Sequence, residues 1–202
     1  VAIIDPELMT SVPADVTAAT GFDTFTHAFE SYLGGRTSPL TKQMSFQAIE
    51  LVIENLPKAI KEPNNIKYRT QLAWADTLAG MCLSNGGADL PHPLGEIIGG
   101  ICPRIAHGET LAMVYPSFLE YKKNIAPDKF KEIAVSLGLK KDPSELSSKI
   151  IELLNITDLS NACKRAELTQ EEKNEILTHP LLTKLEPKNS DKIVSIMKKS
   201  II

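Results

Sequence analysis

Apolar and polar residues alternate with a helical period along most of the chain. A first stretch, from about Asp15 to Leu33, places an apolar residue at every third or fourth position and therefore predicts a helix. Gly34 and Gly35 follow this stretch, and glycines at such a place commonly end a helix. The predicted apolar face consists of Ala18, Phe22, Phe25, Phe29 and Leu33.

The same period predicts four further helices in the middle of the chain. Pro57 predicts the end of the second helix, and Pro116 predicts a kink or break in the fifth, because proline lacks the amide hydrogen that a helix interior needs. Asn85-Gly86-Gly87 predicts the end of the third. The predicted ranges are roughly 40–56, 66–84, 92–101 and 108–121.

The last third of the chain is more charged and carries clear helix-start signals. Pro127 and Pro143 stand where first-turn prolines belong. The segment "LTQEEKNEIL" contains a capping box of Thr169 and Glu172. The segment "NSDKIVSIMKKS" predicts a closing amphipathic helix that is capped by Asn189 or Ser190.

The chain begins with a different pattern. "VAIIDP" is an apolar run that ends in Asp-Pro, which predicts a strand from Val1 to Asp5. A single strand cannot satisfy its backbone hydrogen bonds alone, so we expect its partner strands to lie outside this sequence. The fold class predicted for residues 1–202 is therefore all-α, with an orphan N-terminal strand.

Composition excludes several classes of function. The 202 residues carry a net charge of −3 and show no basic stripe, which argues against nucleic-acid binding. The chain has no run of about 18 apolar residues, so the sequence predicts no membrane span. Three cysteines, Cys82, Cys102 and Cys163, match no paired zinc-binding spacing. We interpret them as small, buried free thiols of a protein in a reducing compartment, the cytoplasm.

The candidate chemistry lies with the four histidines, His27, His92, His107 and His179. Asp23 and His27 are four residues apart, so both side chains lie on one face of the first predicted helix. A carboxylate and an imidazole in this arrangement can bind one metal ion. An ordinary ion pair or hydrogen-bonded pair on a helix explains the same spacing.

His92 and His107 lie at predicted helix edges in the segment "LPHPLGEIIGGICPRIAHGETLA". Each alone is consistent with a hydrogen-bonded structural residue. Together with Asp23 and His27 they would offer three imidazoles and one carboxylate, a suitable set for Zn²⁺ or Fe²⁺.

Three segments together carry a family resemblance: "DPELMTSVPADVTAATGFDTFTHAFESYL", "SPLT" and "HPLGEIIGG…IAHGETLAMVYP". They resemble the iron-containing, or group III, alcohol dehydrogenases over nearly the whole chain. The resemblance implies a helical domain of the dehydroquinate synthase-like type. It also implies that residues 1–202 are the metal-binding catalytic domain, with Asp23, His27, His92 and His107 as ligands of Fe²⁺ or Zn²⁺.

The family binds NAD or NADP in an N-terminal Rossmann-like domain, which we expect to lie outside this sequence. The glycine pairs of the chain do not form G-x-G-x-x-G after a strand, so no dinucleotide-binding residue is assigned here. The resemblance implies a homo-oligomer that interconverts a small primary alcohol and an aldehyde. We expect the 202-residue chain alone to be inactive. A metal-dependent hydrolase and a non-catalytic helical module remain as alternatives.

Two departures from the family pattern affect individual residues. Many members carry a second histidine four residues after the third ligand, and here that position is Glu96, which either assists proton removal or is a solvated helix charge. The spacing from His92 to His107 is one residue longer than expected. Glu30, in the same helix as His27, is either a solvent-facing charge or a partner that orients a ligand. His179 is expected to be a surface or structural residue.

Overall fold

The computed structural model describes residues 1–34 and 36–202, and their regular structure is helical. Gly35, one of the two glycines predicted to end the first helix, lies outside the described residues. The ten α-helices of the described chain are α1 (Ala14–Leu33), α2 (Pro39–Lys61), α3 (Ile66–Gly86), α4 (Pro91–Ile101), α5 (His107–Ile125), α6 (Pro127–Ser136), α7 (Pro143–Ile156), α8 (Ala162–Ala166), α9 (Gln170–Leu177) and α10 (Ser190–Ser200).

Helix α1 lies at the centre of the core. The phenylalanines of its predicted apolar face, Phe22, Phe25 and Phe29, are fully buried. All three rings contact Tyr115 of α5, with ring centroids 5.0, 6.1 and 6.1 Å away. Full burial of one such side chain stabilises a fold by about 1.5–3 kcal/mol. The predicted apolar face of the first helix is therefore confirmed, and it fixes α1 against α5.

Helices α2 and α3 pack on other sides of α1, and α4 packs along α5. The approach of α4 to α5 is close at Gly95, where a Cβ atom would lie 2.9 Å from the Thr110 hydroxyl oxygen. Because α5 contacts both α1 and α4, the first turns of α4 and α5 lie close to the middle of α1.

The predicted end of the second helix before Pro57 is wrong, and Pro116 does not break the fifth helix. Helix α2 continues through Pro57 to Lys61, and α5 continues through Pro116 to Ile125. The residues around each proline are core residues: Leu56 and Ala59 flank the first, and Tyr115 flanks the second. Burial of these side chains offsets the loss of one backbone hydrogen bond, which sequence pattern alone does not reveal.

The predicted N-terminal strand is not formed. Residues 1–5 have no regular secondary structure, and Val1 and Ile3 are largely exposed. The reason is physical: within the described ranges no extended segment lies beside them to complete a hydrogen-bonded ladder. None of the helices that the structure describes has the length and apolar character needed to cross a membrane.

The start signals of the last third are confirmed. Pro127 and Pro143 begin α6 and α7, and Thr169 with Glu172 forms the predicted capping box of α9. Asn189 precedes α10 but makes no side-chain capping bond. The three cysteines are free thiols as predicted; Cys82 and Cys102 are buried and Cys163 is half-buried.

Candidate metal centre

Three helices contribute the candidate ligands. Asp23 and His27 lie one turn apart on α1, at the edge of its buried aromatic face. His92 lies in the first turn of α4, and His107 is the first residue of α5. The packing of α1, α4 and α5 therefore brings all four residues singled out by the sequence to one place.

The three imidazoles converge on one carboxylate oxygen. The Nε2 atoms of His27, His92 and His107 lie 3.4, 3.5 and 3.8 Å from Oδ1 of Asp23. Four ligands placed at about 2.1 Å around a tetrahedral ion are about 3.4 Å from one another. Asp23, His92 and His107 also offer ligand atoms that all lie within 4.8 Å of one another. His27 does not belong to that tighter group.

The surroundings of the cluster fit a cation. Nε2 of His92 is buried and has no hydrogen-bond partner among the described residues, although a buried polar atom without a partner is costly. Its side chain is only 10% exposed, whereas that of His107 is 42% exposed. Three imidazole nitrogens and a carboxylate oxygen suit Zn²⁺ and Fe²⁺. The cluster is thus closed at His92 and open at His107.

Glu30 lies behind His92 and is not a solvent-facing charge. Its side chain is 0% exposed, and its Oε2 atom is 2.9 Å from Nδ1 of His92. The same oxygen accepts the backbone amide hydrogen of Asp89 at 2.9 Å. The other oxygen, Oε1, lies 3.4 Å from the hydroxyl group of Tyr115. A fully enclosed carboxylate therefore contacts a candidate ligand on the side away from Asp23.

The electrostatics of the cluster favour positive charge. Complete burial raises the pKa of Glu30 to about 7, even though His92 and the Asp89 amide favour its ionised form. Burial opposes the charged form of His92, but the carboxylates of Asp23 and Glu30 on its two sides raise the pKa of His92 to about 10 when no metal ion is bound. A cation bound at Nε2 of His92 would displace the proton from that nitrogen. A divalent cation among the ligands would be attracted by the same negative field.

The pKa values of Asp23 and His27, the two candidate ligands on α1, are both lowered. Burial resists ionisation of Asp23, yet the neighbouring imidazoles hold the pKa of its carboxyl group below the ordinary value. Burial lowers the pKa of His27, and the charge of Asp23 only partly opposes that effect. An ionised aspartate and a neutral imidazole are the forms in which these residues bind metal.

Two other sequence candidates lie apart from the cluster. Glu96 is exposed on α4 and makes no hydrogen bond or ion pair with any described residue. Its assistance in proton removal stays a prediction. His179 caps a short 3-10 turn, where Nδ1 accepts the amide hydrogen of Leu181 at 3.3 Å. A structural role for His179 is thereby confirmed.

Sequence reasoning missed Tyr115 and Asp89. Tyr115 lies within an apolar helical stretch, and Asp89 follows a glycine-rich turn, so neither has a local signal of contact with Glu30. The sequence separations of 85 and 59 residues show why only the folded chain reveals them.

Comparison with known proteins places this chain in a family. Residues 17–201 match the C-terminal region of the Fe-containing alcohol dehydrogenase family. The 1,3-propanediol dehydrogenase of Citrobacter freundii is 38% identical over 138 residues, which are 68% of this chain and 35% of that protein. The NAD-dependent methanol dehydrogenase of Bacillus methanolicus is 36% identical over 138 residues, 68% of this chain and 36% of that protein.

The fold agrees with solved structures. The crystal structure of a 1,3-propanediol oxidoreductase superposes with a TM-score of 0.86 and 27% identity, over 97% of this chain and 54% of that one. The chain thus spans about half of a solved relative and matches about a third of the two dehydrogenases above. With the family match extending over nearly all of its residues, the chain belongs to the Fe-containing alcohol dehydrogenases and corresponds to their C-terminal, all-helical region.

Proposed function

We propose that this chain is the metal-binding catalytic domain of an NAD(P)-dependent enzyme that interconverts a primary alcohol and an aldehyde. Asp23, His27, His92 and His107 are the proposed ligands of Fe²⁺ or Zn²⁺. The observation that carries the proposal is the convergence of three imidazole Nε2 atoms within 3.4–3.8 Å of Oδ1 of Asp23. The family membership of the chain gives this arrangement its chemical meaning.

The bound ion would supply Lewis acidity toward the alcohol oxygen, which lowers the pKa of the alcohol. The chain's own residues then have two tasks. The buried imidazole of His92 closes one side of the site to water, and the exposed imidazole of His107 leaves the other side accessible. A cavity of about 660 Å³ is lined by Asp23 and His107 and gives a small molecule access to that side.

Hydride transfer also needs a nicotinamide, and we propose that a Rossmann-like domain outside the 202 residues binds it. One relative is named as NAD-dependent, which supports a nicotinamide as the second reactant. The 202 residues contain no glycine-rich turn of the kind that binds a pyrophosphate. Positioning two reactants contributes about 7–11 kcal/mol to lowering a barrier, so the nicotinamide domain would be essential for turnover.

The test is an activity assay of the full-length protein with NAD or NADP and short primary alcohols. Methanol and 1,3-propanediol are the first substrates to try, because two relatives are named as dehydrogenases of these alcohols. Removal of metal with a chelator should abolish nicotinamide reduction, and Fe²⁺ or Zn²⁺ should restore it. The 202-residue chain alone should show neither turnover nor saturable dinucleotide binding. Full activity of the metal-free protein would overturn the proposed role of the four ligands.

A further inference from the structure

His92 presents two nitrogen atoms to two different carboxylates. Nδ1 lies 2.9 Å from Oε2 of Glu30, and Nε2 lies 3.5 Å from Oδ1 of Asp23. An imidazole that binds a metal through one nitrogen must carry its proton on the other. The group that contacts Nδ1 therefore decides whether Nε2 has a lone pair to offer.

Glu30 is held so that it accepts from His92. Its Oε2 atom already accepts the amide hydrogen of Asp89 at 2.9 Å, a donor that cannot turn away. Asp89 itself forms an ion pair with Lys122, which keeps this loop in place. With one oxygen facing two N–H groups and the other facing the Tyr115 hydroxyl, the carboxylate is surrounded by donors.

We propose that Glu30 is a positioning residue that accepts the Nδ1 hydrogen of His92 and thereby leaves the Nε2 lone pair free to bind a cation beside Asp23. The inference rests on the proposed function, because this lone pair matters only where a cation binds beside Asp23. If Glu30 only filled space in the core, replacing its carboxylate by an apolar group of similar volume would not change the hydrogen bonding of His92.

Three variants separate these roles. Glu30→Gln keeps an oxygen that can accept from His92 and Asp89, while its amide group can face the Tyr115 hydroxyl. Glu30→Met retains a similar volume but removes the acceptor. Tyr115→Phe removes only the 3.4 Å contact to Oε1 and serves as the matched control.

The first measurement is magnetic resonance of isotope-labelled histidine in the protein, before and after addition of Zn²⁺. With four histidines in the chain, single substitutions assign every ring. The Nδ1 hydrogen of His92 should be hydrogen-bonded and slow to exchange in wild type, Glu30→Gln and Tyr115→Phe. In Glu30→Met it should exchange rapidly. In the zinc-bound wild type, Nε2 and not Nδ1 should show the shift of a metal-bound nitrogen.

The second measurement is zinc affinity by competition with a chromophoric chelator. Loss of an outer hydrogen-bond partner typically weakens metal binding by about 10–100-fold, the change expected for Glu30→Met. The zinc affinity of Glu30→Gln should lie between those of Glu30→Met and wild type, because this variant keeps the hydrogen bond and loses the charge.

Equal affinity and equal exchange rates in all variants would overturn this inference alone. Absence of zinc binding by the wild type would overturn the proposed function and the inference with it. If Glu30→Met fails to fold, a zinc-induced shift at Nδ1 and not at Nε2 of His92 in the wild type would still overturn the inference.

Discussion

Gly108 packs directly against the carbonyl group of Ala19. A Cβ atom at Gly108 would lie 2.0 Å from the carbonyl oxygen, far inside van der Waals contact. This contact joins the first turn of α5 to the second turn of α1. His107 precedes Gly108 and Asp23 lies one turn beyond Ala19, so the absence of a side chain at residue 108 sets the distance between two candidate ligands.

Gly108→Ala should therefore damage the site and the fold together. The methyl group must push α5 away from α1, and overpacking of this kind costs about 1–3 kcal/mol. His107 would move with α5, so zinc affinity should fall as well. Gly100→Ala is the control, because no atom lies within 4 Å of the added methyl group and alanine favours a helix by roughly 0.5–1 kcal/mol. Urea unfolding and zinc titration of both variants give the test, and wild-type behaviour of Gly108→Ala would contradict the packing argument.

His107→Ala should greatly weaken metal binding while leaving the core intact. Its imidazole is 42% exposed and contributes one of the three nitrogens near Asp23, so the variant loses a ligand without opening a cavity in the interior. Elemental analysis of freshly purified protein measures the effect. His179→Ala is the matched control, since its imidazole caps a turn away from the cluster. Equal metal content in His107→Ala and wild type would refute the four-ligand assignment.

The sequence predicts the parts of this molecule that depend on local pattern. The three- to four-residue spacing of Phe22, Phe25 and Phe29 follows from burial of one helix face, and the Asp23–His27 pair follows from helical geometry alone. Capping boxes are likewise local, which explains why Thr169 and Glu172 are identified correctly. A family resemblance groups the four candidate ligands, and the folded chain brings them together.

Features that depend on distant contacts are not visible in the sequence. Glu30 has the same local pattern as a solvated helix charge, and only the approach of α4 and α5 encloses it. Pro57 resembles a helix end because the pattern does not show how much core packing surrounds it. The N-terminal apolar run resembles a strand, since strand propensity does not depend on whether a partner strand is present.

Lys129 should make a substantial contribution to the end of α1. Its Nζ atom donates to the carbonyl oxygens of Tyr32, Leu33 and Gly34 at 3.0, 3.0 and 2.6 Å. These carbonyls lie at the helix C-terminus, where they lack partners within the helix and where positive charge is favourable. Hydrogen bonds from a charged donor contribute about 1.5–3 kcal/mol, so Lys129→Met should lower the free energy of unfolding by about that amount.

Lys131→Met provides the comparison for Lys129→Met. The ammonium group of Lys131 pairs with Asp128, whose side chain is 88% exposed, and exposed ion pairs contribute only about 0–1 kcal/mol. Urea unfolding of the two variants should therefore separate them clearly. Similar losses in both would mean that Lys129 acts as an ordinary surface lysine and does not cap α1.

Acid should remove a stabilising contribution from Glu172. Arg104 donates to its carboxylate at 2.8 Å, and together with the Thr169 amide this holds the pKa of Glu172 at about 2, below the ordinary 4.5. A carboxyl group whose pKa is lower in the folded state stabilises the fold above pH 4.5 and loses that contribution as the pH falls toward 2. The stability difference between wild type and Glu172→Gln should therefore be constant above that range and should shrink within it. Urea midpoints measured across this range give the test. Glu171→Gln is the control, because Glu171 makes no hydrogen bond or ion pair with the described residues. A stability difference between wild type and Glu172→Gln that does not change with pH would refute the ion-pair account.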